Sequence, residues 1–307
     1  MSRWRRLRWA AMVIAVFVAG ALAAAVAPPA TAQAGRAECR SMSSKILGHA
    51  VAYCAVLPPS YDAEKARHYP ILYFLHGLGG NEQVLLNSGG INLVDDLWDR
   101  KDIGEFVIVT PAAGRSFYIN SHDGKVRYED FFVREFMPYV ESHYRIRAER
   151  GARGISGVSM GGFGALHLAL RHPELFGSVS AHSAALIEKP SRANLAEAQQ
   201  NGLARMLGEA FGIPFDAEYW ERESPFAIVR EGPKLAGMKI YFDCGTEDDF
   251  GFNLGAQQFH DLLVARKIPH EFHLYPGGHN WDYVVEHFPA SLEFHSKAFA
   301  PAVSSKQ

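Results

Sequence analysis

The pentapeptide Gly157-Val158-Ser159-Met160-Gly161 constrains this chain more than any other stretch, because an apolar run (154–158) enters it and a helix-forming stretch, Gly162-Phe163-Gly164-Ala165-Leu166-His167, leaves it. A serine on so sharp a strand-to-helix turn is forced into strained backbone angles. Flanking glycines remove the side chains that would collide there. The hydroxyl then stands exposed at a helix N-terminus. G-x-S-x-G alone arises by chance in many chains, and it is the strand before and the helix after that give it meaning. A serine hydroxyl is a poor nucleophile until a base takes its proton, and the base needs a third group to hold its tautomer. Further along the chain an acid and then a histidine should follow, each at the end of a later strand.

The surrounding pattern agrees. The run 70–76 is almost wholly apolar and breaks into Gly77-Leu78-Gly79-Gly80, as a buried strand feeding a glycine loop does. Similar runs lie at 106–110, 175–180, 239–244 and 271–275, with helical patterns between most of them, including 128–143 and 253–267. Strands apolar on both faces, alternating with helices, predict an α/β protein with a mostly parallel sheet wrapped by helices. A hairpin, 40–45 and 49–55 around Leu47-Gly48, forms its antiparallel edge. Residues 35–300 read as one domain. The interval 184–237 is too long for a simple crossover and carries Pro190, Pro214, Pro225 and Pro233, so it reads as an excursion over the active-site edge. Residues 301–307 read as a flexible tail.

Residues 1–34 read as an export signal: Arg3, Arg5, Arg6 and Arg8, an apolar stretch over 9–27, and Ala32-Gln33-Ala34 as a small-residue cleavage site. An uncleaved anchor is the alternative, since the stretch is long enough to span a bilayer. Arg5-Arg6 leaves the export route open. Either way the catalytic part is expected outside the cytoplasm, secreted or periplasmic. Without this segment the formal charge falls from −2 to −6. No basic stripe suggests a nucleic-acid partner. Cys39 and Cys54 flank the hairpin, which leaves a bridge between them open in an oxidising compartment. Cys244 reads as a buried thiol in the 239–244 strand. There is no CxxC pair and no HExxH, so neither a metal nor another cofactor is expected.

His279 is the base of choice, because it follows Gly277-Gly278 after the 271–275 strand, whereas His167, His172 and His260 sit in helical patterns and His273 alternates along a strand. The acid belongs to the loop after Cys244, where Asp248 is preferred, Asp249 is second, and Glu247 adjoins. Two backbone N–H groups must receive the negative oxygen of a tetrahedral intermediate. Met160 supplies one and Leu78 the other. His76 braces the Leu78 loop.

These motifs resemble a family. Leu75-His76-Gly77-Leu78-Gly79-Gly80, Ser116-Phe117-Tyr118-Ile119-Asn120 with Tyr128-Glu129-Asp130, Gly157 to Gly162, Asp243 to Asp248, and Gly278-His279-Asn280-Trp281 are similar to the esterase D-type branch of the α/β-hydrolases. That branch includes S-formylglutathione hydrolases, tributyrin and feruloyl esterases, and mycolyltransferases. The resemblance covers about residues 38–298. It implies the α/β-hydrolase fold, Ser159 as nucleophile, Asp248 as orienting acid, His279 as base, and Leu78 with Met160 as the oxyanion pair. His76, Tyr118 and Asn120 either line the pocket or stabilise the loop before the 128–143 helix. The expected activity is hydrolysis of short-acyl, aryl or carbohydrate esters through an acyl-enzyme. The alternatives are transfer of the acyl group to a sugar or lipid alcohol and, in another class, a binding protein that keeps the fold without the chemistry. An exported chain fits glutathione-linked substrates poorly.

Overall fold

The computed structural model describes residues 34–189, 203–232, 235 and 237–300. The signal segment up to residue 33, the tail 301–307 and part of the 184–237 interval lie outside them. The strands are β1 (Arg36–Ser43), β2 (Ala50–Leu57), β3 (Ile71–Leu75), β4 (Val107–Pro111), β5 (Arg153–Val158), β6 (Ser178–His182), β7 (Lys239–Gly245) and β8 (Glu271–Tyr275). They form one eight-stranded sheet in the order β1-β2-β4-β3-β5-β6-β7-β8. Every pairing from β4 onward is parallel, whereas β1 with β2 and β2 with β4 are antiparallel. The expected α/β-hydrolase sheet with its antiparallel N-terminal hairpin is therefore present. Cys39 faces Cys54 in the β1–β2 register, and the two form a disulfide.

Both faces of the sheet are covered, which is why its central strands are apolar without alternation. In β3, Ile71, Tyr73 and Leu75 join one buried cluster and Leu72 and Phe74 the other. The second face carries α1 (Val84–Asn87), α2 (Gly90–Asp99) and the long C-terminal α10 (Trp281–Phe299). The first carries α3 (Tyr128–Phe131), α4 (Met137–His143), α5 (Met160–Arg171), α8 (Pro225–Glu231) and α9 (Phe252–Ala265). Between β6 and β7 also come α6 (Leu203–Phe211) and α7 (Ala217–Glu223). They pack through aromatic rings: Phe211 lies 4.6 Å from Trp220, and Trp220 lies 5.4 Å from Phe163 of α5. Among the described residues, no helix is long and apolar enough to cross a membrane.

Two elements differ from expectation. The 128–143 helix is interrupted by a π turn at Phe132–Phe136. Pro138 has no N–H to give the carbonyl of Arg134 and its ring crowds that carbonyl, so the ladder widens just ahead of it. The wider turn lets Phe131, Phe132 and Phe136 all face the sheet. β6 spans 178–182 rather than 175–180, and its sequence Ser178-Val179-Ser180-Ala181-His182 is polar at alternate, fully buried positions.

That polar stripe is satisfied from α10. Ser178 Oγ donates to His295 Nδ1 (2.7 Å), His295 Nε2 donates to Ser180 Oγ (2.9 Å), and Ser180 Oγ donates to Ser156 Oγ (2.7 Å). The chain of donors runs one way only if His295 is neutral. Burial, reinforced by the nearby His182, pushes its pKa down to about 3. A group held below its unfolded value of about 6.5 contributes its full stability above that pH and loses it as pH falls toward 3. Between pH 6 and 4.5 this one ring should make stability fall by about 1.4 kcal/mol per pH unit. Urea unfolding across that range should show a shallower slope for His295→Asn, which should also be less stable at pH 7.

The approach of α5 to β3 sets a second constraint. A Cβ on Gly161 would lie 2.0 Å from the Leu75 carbonyl oxygen, and one on Gly157 would lie 2.2 Å from the carbonyl oxygen of Gly161. Both contacts are with backbone, which cannot swing aside. Gly161→Ala should cost about 3 kcal/mol by forcing the helix off the strand, read as a lowered urea midpoint, and should remove any activity that depends on Ser159.

Candidate active site

Ser159 occupies the turn between β5 and α5 with φ 57° and ψ −117°. This is a conformation that side chains with a Cβ avoid, at a cost of about 1–3 kcal/mol. The backbone holds it there: its N–H donates to the His182 carbonyl (2.9 Å), and its own carbonyl accepts from Phe163 (3.0 Å) and Ala185 (3.1 Å). The side chain is thereby aimed away from the sheet.

The three residues expected to act together do meet. His279 Nε2 lies 3.0 Å from Ser159 Oγ, and His279 Nδ1 lies 2.7 Å from Asp248 Oδ2. With Nδ1–H donated to the carboxylate, Nε2 is left as the acceptor for the serine proton. Of the two acids left open, Asp248 is buried and faces His279, while Asp249 is exposed.

Asp248 is surrounded by donors. Oδ1 accepts the N–H groups of Phe250 (3.0 Å) and Phe252 (3.3 Å), and Oδ2 accepts from His279 and from the Cys244 thiol (3.5 Å). Burial works to raise its pKa, but the hydrogen bond and charge of His279 and the two backbone donors outweigh that and hold it below the usual carboxylate range. Cys244 is pushed the other way: burial and the neighbouring carboxylate raise its pKa, so it stays a protonated donor. The edges of Phe250 and Phe252 contact the His279 ring at 4.8 and 5.4 Å between centroids.

A cavity of about 230 Å³ opens beside Ser159. Its apolar wall is Leu78, Val84, Val158, Trp281 and Val284, and Ser183 and Asn280 add polar groups. Leu78 thus reaches the site. Met160 is buried at the start of α5 directly behind Ser159. Among the described residues, no acceptor takes the N–H of either Leu78 or Met160.

His76, Tyr118 and Asn120 are not on that wall. His76 is fully buried, donates Nδ1–H to the Gly77 carbonyl (2.8 Å) and accepts the Ala113 N–H at Nε2 (3.0 Å). Burial lowers its pKa against the raising effect of that carbonyl, so it stays neutral. Tyr118 donates to the His76 carbonyl (3.0 Å), and Asn120 accepts the Asp130 N–H (3.2 Å). All three brace the loops behind the site. The cavity also takes no residue from the described part of 184–237.

Sequence reasoning missed a layer beneath the site. His182 Nδ1 and Asp243 Oδ2, both wholly buried, approach to 2.8 Å without hydrogen-bond alignment. Tyr283 donates to Asp243 Oδ1 (2.9 Å), and His182 Nε2 donates to Ser291 Oγ (2.8 Å). A histidine ending one strand and an aspartate near the end of the next were visible, but nothing marked them as partners.

Among the described residues, one metal-type group converges: Glu129, His167 and Glu223, with ligand atoms within 4.8 Å of one another. These atoms already have partners. Glu129 takes His167 at 3.0 Å and His172 at 2.8 Å, and Glu223 takes Arg171 at 3.1 Å. The group shares no residue with the Ser159 cavity.

Comparison with known proteins gives the family. The Esterase family model, described as "Putative esterase", matches residues 44–295. Esterase Rv1288 of Mycobacterium tuberculosis is 30% identical over 240 residues, covering 73% of this chain and 51% of that protein, so the chain spans about half the length of the curated relatives it matches. A ferulic acid esterase superposes with a TM-score of 0.74 at 28% identity, covering 87% of this chain and 99% of that one. An S-formylglutathione hydrolase from Agrobacterium tumefaciens superposes at 0.70 with 19% identity, covering 88% and 98%, which is a likeness of fold. The protein belongs to the Esterase family, on the esterase branch of the α/β-hydrolases.

Proposed function

We propose that this protein is an exported serine carboxylic ester hydrolase working through an acyl-enzyme, with Ser159, His279 and Asp248 as its triad. The observation that carries the reading is the unbroken line from Ser159 Oγ through the His279 ring to the Asp248 carboxylate, at 3.0 and 2.7 Å. His279 Nε2 takes the serine proton as Oγ attacks the ester carbonyl carbon. The oxygen of the tetrahedral intermediate becomes negative and is received by the N–H groups of Leu78 and Met160. The intermediate collapses as His279 returns the proton to the leaving alcohol oxygen, leaving the acyl group on Ser159. Water then repeats the sequence and releases the acid. Asp248, kept ionised by its four donors, stabilises the imidazolium that forms in each half.

The modest cavity and its aliphatic and indole wall favour short-acyl or aryl esters, with small-molecule or carbohydrate alcohols as leaving groups. The signal-like segment at the N-terminus and the Cys39–Cys54 disulfide support a secreted or periplasmic setting.

Ser159→Ala should lower turnover of p-nitrophenyl butyrate by more than about a thousandfold while leaving the unfolding free energy in urea within about 0.5 kcal/mol of the parent. Residual parental activity in that variant would remove Ser159 from the mechanism. With glycerol or trehalose present, free butyric acid should remain the main product, whereas predominant acyl glycerol or acyl trehalose would replace hydrolysis with transfer.

A further inference from the structure

Ser183, directly after β6, combines three features. It is a non-glycine residue at φ 40°, it is 2% exposed, and it lines the same cavity as Ser159. Among the described residues its hydroxyl makes no aligned hydrogen bond, and its one electrostatic partner is the nearby Cys244 sulfur, a weak acceptor. A buried hydroxyl with so weak a partner and a strained backbone both cost stability, and such costs are retained where a site uses them. The strain is imposed by the elbow itself. The Ser183 N–H is tied to the Asp243 carbonyl (2.8 Å), and the residues on either side of 183–184 are tied to the two backbone groups of Ser159, His182 by its carbonyl and Ala185 by its N–H. The backbone at Ser183 is therefore fixed relative to the nucleophile as firmly as that of Ser159.

We infer that Ser183 is a substrate-binding residue, whose hydroxyl donates to an uncharged oxygen carried by the bound ester close to its reacting carbonyl. The inference rests on the esterase reading and narrows it: the preferred ester carries an ether, hydroxyl or carbonyl oxygen in its acyl or its alcohol part, and an all-carbon isostere is the poorer substrate. No covalent step is assigned to Ser183.

Two isosteric pairs test it. In the acyl arm, p-nitrophenyl methoxyacetate is compared with p-nitrophenyl butyrate; in the alcohol arm, 2-methoxyethyl butyrate with butyl butyrate. Each ether oxygen replaces one CH₂. Taking the ratio of kcat/KM between parent and Ser183→Ala within each pair cancels the intrinsic reactivity of the two esters. The expected result is that Ser183→Ala loses about three- to tenfold more on the ether substrate than on its carbon twin in one arm, mainly through KM. That arm identifies which half of the ester meets Ser183. Ser183→Gly, which removes the hydroxyl and suits the backbone angle, should fold at least as well and show the same selective loss. Equal losses, or none, on all four substrates in both variants would overturn the inference and leave Ser183 as a packing residue. The esterase reading is judged separately, by wild-type turnover of p-nitrophenyl butyrate and its loss in Ser159→Ala.

Discussion

The site depends on one contact between main chains: the start of α5 pressed against the end of β3 at Gly161 and Leu75. Because no side chain intervenes, the Leu78 loop, which continues β3, and the Ser159 turn, which opens α5, meet at one cavity. A separation wide enough for one methyl group would part the two. The strained angles of Ser159 follow from the same crossing, since the chain must reverse within one residue to pass from sheet to helix. Strain here is a consequence of closeness.

Beneath this backbone arrangement lies a polar layer that holds α10 in place. His295 bridges two serines of β6, and the His182–Asp243 pair reaches Ser291 and Tyr283 of the same helix. The N-terminus of α10 is capped by Asn280, which accepts the Tyr283 N–H, and Trp281 donates to the Ser88 carbonyl. His279 immediately precedes that cap. The position of the His279 ring is therefore inherited from hydrogen bonds made several turns further along the helix. An apolar interface would permit small slides that this directional set resists.

Much of this was legible in the residues alone. Periodicity located every strand of the parallel sheet, and strand-end position picked His279 from 14 histidines. Asp248 was distinguishable from Asp249 only weakly, because adjacent loop carboxylates differ in direction rather than in local pattern. The limits of β6 were misjudged since Ser178, Ser180 and His182 look like surface residues until His295 and Ser291 arrive from more than a hundred positions away. The π turn at Phe132–Phe136 escaped notice for a different reason: Pro138 announces a disturbance without saying whether the helix ends or merely widens. Ser183 carried no motif, and Cys244, legible as a buried thiol, gave no sign that it would face the Asp248 carboxylate.

The Cys244 thiol has a practical consequence of its own. It is the single unpaired cysteine in the chain, buried against the carboxylate that orients His279. A reagent that modifies thiols can reach it only when the structure opens around the end of β7. Its labelling rate in the native protein therefore counts how often that opening occurs. The chain comes with this reporter already installed, in contact with the carboxylate that faces His279.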